Sequence, residues 1–319
     1  MTGRPSASTP GPSLRLVAAA ALALAACAWA AGGSPLTAAP GLPAWVWALI
    51  MFIFCCATGV VAVIAGVGGG VLFVPLVGTF FPFHMDFVRG TALFVALAGA
   101  LSASARFLRQ GTTFPRLVLP FSLASSVGAI AGAMVGLALP EDVVRILLGL
   151  VIGGVCAVMV LTRGSAPGDP DLSDPIAAAL EIEGVCRDSG REVTWRPRRM
   201  VLTIALFVAI GFVAGVFGLG AGWASVPVLH LVAGVPLKAA VASSLMVISI
   251  SNTPPSLVYL NSGAVLPALA VPSVIGMMLG SRLGSKLVTR LPSHAVRWFV
   301  IALLAVAGLL SLLKGLGAL

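Results

Sequence analysis

The residues of this sequence best suited to chemistry are neutral hydrogen-bond donors set inside otherwise apolar runs. The stretch "VASSLMVISISNTPPS" carries Ser243, Ser244, Ser249, Ser251, Asn252 and Thr253, followed by Pro254 and Pro255. Earlier in the chain, "GTALFVALAGALSASAR" holds Thr91, Ser102, Ser104 and Arg106. A single serine on a helix commonly satisfies itself on a carbonyl one turn back, and most of these residues need no other explanation. Asn252 differs, because the two prolines after it free carbonyls that then need partners. Asn252, Ser243, Ser244 and Thr91 are therefore candidate donors to a small oxyanion. Lys238 and Arg106 stand near the ends of apolar runs, where long cations snorkel to the interface. The alternative is that they draw an anion into a vestibule.

A second feature points to the same chemistry. "GVGGGVLFVPL" sets Gly66, Gly68, Gly69 and Gly70 ahead of an apolar segment, and "GLGAGWASVPV" repeats the arrangement with Gly218, Gly220 and Gly222. Glycine-rich backbone inside a membrane leaves amides without helical partners, at several kcal/mol each, roughly. Such backbone persists where it lines a polar cavity or is buried in protein. Each stretch precedes a new apolar segment, so its amides would form the positive end of a short helix, a ready anion site. The competing reading is that these glycines merely let helices pack closely. For "GAIAGAMVG" (Gly128, Gly132, Gly136) and "GMMLGSRLG" (Gly276, Gly280, Gly284), a spacing of four on one helix face favours packing.

Other chemistries find little support. Neither glycine stretch is followed by Lys-Ser/Thr as in a Walker loop, and neither lies in a βαβ unit that would bind a dinucleotide. Cys27, Cys55, Cys56, Cys156 and Cys186 have no metal-like spacing, and His84, His230 and His294 are scattered. No metal or other cofactor is expected.

The elements that must position these residues follow from composition. Hydrophobic residues make up 59% of the 319 and charged residues only 9%, with a mean hydropathy of +1.09. A soluble domain carries about 25% charged residues, so this chain cannot cover a globule with polar groups and belongs in a membrane. The net charge of +9 then reflects arginines flanking membrane segments, with lipid rather than nucleic acid as the partner. The run "LRLVAAAALALAACAWAAGG" has the form both of a signal peptide and of an uncleaved extra helix.

Sliding the chain against itself by 152 residues (218 − 66) reveals a duplication. Pro75 falls on Pro227, Gly111 on Gly263, Pro115 on Pro267, Pro120 on Pro272, Gly128 on Gly280, Gly132 on Gly284, Pro140 on Pro292 and Arg145 on Arg297. The pattern predicts four segments: residues 1–43 as an N-terminal segment, 44–162 as a first repeat, 163–199 as a cytoplasmic linker, and 200–319 as a second repeat. The linker reads as a loop, turn-rich at "GSAPGDPDLSDP" and closing on Arg196, Arg198 and Arg199.

Loop charge sets the orientation of the repeats. The break around Gly111 carries Arg106, Arg109 and Arg116, whereas its counterpart around Gly263 is uncharged. At the next break the asymmetry reverses, with Arg282, Lys286, Arg290 and Arg297 against Arg145, Glu141 and Asp142. Equivalent loops thus face opposite sides, and inversion requires an odd number of spans per repeat. Runs at 44–64, 68–83, 88–108, 117–138 and 142–162 supply five, matched by 200–217, 220–235, 238–258, 265–288 and 293–313. Arg89 falls outside, an exception. The short runs 68–83 and 220–235 are candidates for broken or re-entrant segments. The expected fold is an all-α integral membrane protein of two inverted five-segment repeats, with an extra N-terminal helix as an option.

At these residues a resemblance appears. "GVGGGVLFVPL", its echo "GLGAGWASVPV", and "PLKAAVASSLMVI" resemble the sulfite exporter TauE/SafE family of transmembrane permeases, over residues 44–314. Ala221 and Trp223 depart from the glycine pattern, so the two helix ends need not bind equally. The resemblance implies a secondary transporter of the bacterial cytoplasmic membrane, exporting sulfite or organosulfonates such as sulfoacetate. Its partners would be a small anionic substrate and membrane lipid, and a homodimer is compatible with it. Import of sulfate, thiosulfate or another small anion is the first rival. An intramembrane enzyme is the second, and it lacks paired acids, a His cluster or a nucleophile motif. A non-transporting scaffold is the third, and broken backbone would be a costly way to build one.

Overall fold

The computed structural model describes residues 44–65, 69–81, 83–161, 182–188 and 191–287, with residues 174, 175, 177, 305, 308, 309, 312 and 313. Helix α1 is Ala44–Ala65, and α2 is Gly69–Phe80. Helix α3 is Met85–Arg109, α4 is Pro115–Ala138 and α5 is Glu141–Leu161. Strands β1, Gly184–Asp188, and β2, Arg191–Trp195, precede α6, Met200–Phe217. Helix α7, Gly222–Pro227, runs on into a π turn at Val228–Val232. Helices α8, Leu237–Ser251, α9, Thr253–Asn261, and α10, Pro267–Leu287, follow. The expected span 293–313 and the N-terminal segment 1–43 lie outside the described residues, apart from the isolated positions named above.

Among the described residues, five helices (α1, α3, α4, α6 and α10) are long and apolar enough to cross a membrane. The fold is that of an all-α integral membrane protein. Helix α2, with 12 residues, rises only about 18 Å at 1.5 Å per residue, against a hydrocarbon core of roughly 30 Å. Its counterpart α7 is shorter still, and its Pro227 lacks the N–H that would continue α-helical bonding, so a π turn follows. The expected span 238–258 is divided at Asn252, where Pro254 and Pro255 open a new helix at its first turn.

The linker is more than the loop expected from its composition. Strands β1 and β2 form an antiparallel hairpin with Val185 opposite Thr194 and Asp188 opposite Arg191. Trp195 and Ile182 are buried in one cluster with Leu117, Leu229, Val235 and Ala239. The Trp195 ring meets Phe114 edge-on at 5.0 Å, which docks the hairpin against the start of α4.

Two glycine-striped helix pairs build the frame. A Cβ on Gly128, Gly132 or Gly136 of α4 would collide with the Val208, Phe212 or Val216 carbonyl of α6. On α10, Gly276, Gly280 and Gly284 stand equally close to the Phe52, Cys56 and Val60 carbonyls of α1. Both pairs are parallel, because the partner number rises with the residue number. They are also each other's image under the 152-residue offset: 128 + 152 = 280, and 208 − 152 = 56. The same contact thus recurs at the 152-residue offset with the roles of the two residues exchanged.

Helix α3 runs beside α8 and α9, which are its own counterparts (85 + 152 = 237), and the contacts run in opposite senses. Arg89 lies over Tyr259, Gly220 stands between Ala96 and Asn252, and Thr113 just beyond α3 donates to the Ala242 carbonyl at 3.5 Å. Helix α3 runs parallel to α10, with Gly90 against Ala264 and Ser102 Oγ donating to the Met278 carbonyl at 3.1 Å.

These directions gather the charges. Arg106, Arg109, Arg116, Arg196, Arg198, Arg199 and Arg282 come to one end of the molecule. His84, Asp86, Arg89, Glu141, Asp142 and Arg145 occupy the other. There His84 Nε2 lies 3.0 Å from Glu141, which also pairs with Arg145, while Asp86 pairs with Arg89.

Candidate substrate site

The two glycine breaks meet. A Cβ on Gly70, in the first turn of α2, would sit 2.5 Å from the Leu219 carbonyl oxygen and 3.1 Å from Ala96 Cβ. Gly220 has φ +73°, and a Cβ there would lie 2.8 Å from Asn252 Nδ2 and 3.3 Å from Ala96 Cβ. Ala96 in the middle of α3 therefore touches both breaks, and Asn252 faces the second. At Gly220 a side chain is opposed twice, by the left-handed backbone and by the amide group it would meet.

Asn252 is 1% exposed, and its Nδ2 has no hydrogen-bond partner among the described residues. Its backbone is fully used, with the N–H donating to Ile248 O at 3.0 Å and the carbonyl accepting from Ser256 N at 3.1 Å and Ser256 Oγ at 2.6 Å. A buried amide nitrogen left unpaired costs about 1–3 kcal/mol. An acceptor arriving beside Gly220 would remove that cost. The opening amides of α2 are unspent by helix geometry and carry the positive end of its dipole. The arrangement suits a small oxyanion bound by neutral donors.

The remaining candidates are distributed rather than gathered. Gly66 and Gly68 lie outside the described residues. Gly218 ends α6 with φ +68°, and its missing Cβ leaves room for the Arg89 carbonyl, 2.5 Å from where that atom would be. Gly222 opens α7. Ser244 Oγ donates to the Val241 carbonyl at 2.9 Å, one turn back. Thr91 and Ser243 are both fully buried, and neither hydroxyl has a partner among the described residues.

Those two residues are counterparts (91 + 152 = 243), yet they stand apart. With α3 antiparallel to α8 and α9, Thr91 lies toward the Asp86 end and Ser243 toward the arginine-rich end. At 1.5 Å per residue they are separated by about 20 Å along the helices, with the Gly220–Asn252 contact between. Even Ser243 and Asn252, nine residues apart, differ by about 13 Å in depth. One small anion cannot touch all three at once. Arg106 is half-buried in the last turn of α3 and Lys238 is the second residue of α8, both toward the arginine-rich end.

Arg89 is the residue that sequence reasoning missed. Counted as an exception among loop charges, it is in fact 0% exposed. Its Nη1 donates to the Gly136 carbonyl at 2.9 Å and the Val216 carbonyl at 3.0 Å, and Nη2 pairs with Asp86. The guanidinium lies 5.9 Å from the Tyr259 ring centre. The i, i+3 spacing of Asp86 and Arg89 in an otherwise apolar run was the available signal.

Comparison with known proteins adds to this geometry. The family profile described as "Sulfite exporter TauE/SafE" matches residues 50–311. The chain is 24% identical to the "Probable membrane transporter protein YunE" of Bacillus subtilis, over 84% of this chain and 98% of that one. It is 29% identical to the "Probable membrane transporter protein ORF9" of Sinorhizobium sp, over 75% and 82% of the two chains. A "Probable membrane transporter protein" of Xylella fastidiosa (strain 9a5c) is 26% identical over 76% and 86%. No solved structure matches the chain.

Proposed function

The chain belongs to the sulfite exporter TauE/SafE family, and from that premise we propose that it is a multi-pass transporter exporting small sulfur oxyanions, sulfite or an organosulfonate such as sulfoacetate, by alternating access. The observation that carries this reading is the unpartnered amide of buried Asn252, beside Gly220 where the two glycine breaks meet. A charged oxyanion resists hydrocarbon and must replace its hydration with fixed donors. Asn252 and the opening amides of α2 are such donors, and they bring no full charge that would trap the anion.

The repeats are inverted in this reading, with their two-fold axis in the membrane plane. The opposed course of α3 and α8–α9, together with the exchanged roles of the α4–α6 and α1–α10 pairs, supports it. The arginine-rich end faces the cytoplasm of a bacterial cell, in keeping with the preference of cations for that side. The Asp86–Arg89 and Glu141–Arg145 ends are internally paired and contribute little to orientation. Two related half-sites about one axis can exchange conformations, opening the centre to either side in turn.

Flux of isotopically labelled sulfite in proteoliposomes of known protein orientation tests the reading. Efflux from the arginine-rich face, saturable and inhibited by sulfoacetate, is expected. Net movement only in the opposite direction would make the chain an importer, and no movement of any sulfur oxyanion would end the proposal.

A further inference from the structure

We propose that Arg89 is a positioning residue for the substrate site and that, with Asp86 and Tyr259, it latches the two repeats together at the Asp86 end. The inference rests on the transport reading above and assigns a role within it to a residue that touches no substrate.

The last carbonyls of a helix have no intrahelical donors and carry the negative end of its dipole. Parallel α4 and α6 end side by side, so two such ends face the same space. The Arg89 guanidinium stands between them, with one nitrogen donating to both Gly136 and Val216. The Tyr259 hydroxyl adds bonds to the Gly215 and Val216 carbonyls, at 3.1 and 3.2 Å. Asp86 balances the charge, without which a buried guanidinium would be costly. Val216 is two residues before the left-handed Gly218 and four before Gly220. Fixing the end of α6 therefore fixes the turn that presents Gly220 to Asn252.

The constellation joins α3 and α4 of the first repeat to α6 and α9 of the second. The offset shows that it is one-sided. Val241 stands where Arg89 would recur, Phe107 where Tyr259 would, and Lys238 where Asp86 would (89 + 152, 259 − 152, 86 + 152). At that opposite end, among the described residues, the halves meet through the long Thr113–Ala242 bond, at 3.5 Å, and the apolar cluster of Leu117, Leu229, Val235 and Trp195, with no buried guanidinium between helix ends. Two repeats that exchange conformations would be balanced by symmetry, and a charged tie at one end alone removes the balance. Closure at the Asp86 end is favoured, leaving the arginine-rich end as the side that opens at rest. An exporter loading from the cytoplasm needs that bias.

The test uses the full chain in nanodiscs, with the native cysteines replaced and a reporter, Thr91→Cys or Ser243→Cys, introduced at one end. Arg89→Ala would strip Asp86 of its guanidinium and the Gly136 carbonyl of its donor and would destabilise the fold, so the latch is weakened by Tyr259→Phe, which removes only a hydroxyl, and separately by Arg89→Lys. Both are expected to raise the rate at which a soluble thiol reagent labels Thr91→Cys by about tenfold. Labelling of Ser243→Cys should stay level or fall. Equal acceleration at both reporters would mean general loosening and would overturn the latch, as would unchanged labelling in well-folded variants. Labelling needs no substrate, so the two readings fail separately. Sided labelling without sulfite flux removes the transport reading, whereas flux with unmoved labelling removes the latch.

Discussion

Gly70, in the first glycine stretch, faces the Leu219 carbonyl, in the second, with no room for a side chain between them. A Cβ on Gly70 would approach the Leu219 carbonyl oxygen to 2.5 Å. Because the obstacle is backbone, no side-chain rotation relieves it. Gly70→Ala must separate the two breaks and shift Ala96, which touches both. The expected outcome is at least a tenfold loss of sulfite flux from protein that is still monodisperse. Flux per mole of folded protein in proteoliposomes is the measurement, and undiminished flux would reduce Gly70 to a packing residue.

How much of this was legible in the sequence depends on the range of the interaction. The packing glycines at 128, 132, 280 and 284 were readable because their spacing of four is a property of one helix. The offset of 152 was readable because glycine and proline keep their places where backbone geometry demands them. Arg89 was not, since its carbonyl partners come from residues 47 and 127 positions away. Charge counting treats every arginine as a loop residue, and only the fold reveals one spent on helix ends. The structure spaces Ser243, Ser244 and Asn252 along one helix rather than around one point. Nine residues of helix span about 13 Å, more than a small anion can bridge. The hairpin at 184–195 was hidden within a segment that reads as polar linker by composition.

Asn252 should set affinity more than rate. A hydrogen bond to a charged group contributes about 1.5–3 kcal/mol, so Asn252→Leu is expected to raise the KM for sulfite by roughly tenfold to a hundredfold. Asn252→Asp should do more harm, since it sets a carboxylate against an anionic substrate. Because Nδ2 has no partner among the described residues, Asn252→Leu should leave the thermal unfolding midpoint nearly unchanged or raised. An unaltered KM in both variants would move the site elsewhere.

Gly220 combines a left-handed backbone with a close neighbour. Gly220→Ala carries a strain of about 1–2 kcal/mol for the positive φ, before the contact with Asn252 is counted. Transport should fall with little change in expression, and Gly220→Val should abolish it. Gly263, also left-handed but with open space about it, provides the control. Gly263→Ala should cost a similar amount of stability and leave flux intact. Similar flux loss at both positions would show that backbone strain alone, rather than the approach to Asn252, is responsible.

The packing glycines should behave oppositely. Gly132→Ala presses on the Phe212 carbonyl and Gly284→Ala on the Val60 carbonyl, and the two sites are related by the offset. Overpacking of this kind costs about 1–3 kcal/mol. Both variants are expected to lower the unfolding midpoint by similar amounts while retaining the KM for sulfite in the surviving protein. Thermal unfolding in detergent, followed by flux at matched folded concentration, separates the two effects. A raised KM without lost stability would contradict the assignment.

Orientation is the prediction on which the direction of transport depends. The parallel course of α3 and α10 brings Arg109 and Arg282 to the same end, although the first ends a first-repeat helix and the second lies in a second-repeat one. Asp142, in the first turn of α5, belongs to the opposite end through Glu141 and His84. Arginine concentrates on the cytoplasmic side, so the Arg109 end should be inside and Asp142 outside. Single-cysteine variants at 109, 282 and 142, in a background lacking the native cysteines, make this measurable. A membrane-impermeant thiol reagent added to intact cells should label Asp142→Cys and spare Arg109→Cys and Arg282→Cys. In inside-out vesicles the pattern should reverse. Labelling of Arg109→Cys and Arg282→Cys from opposite sides would contradict the parallel course of α3 and α10, whereas reversal of all three together would keep the fold and turn the exporter into an importer.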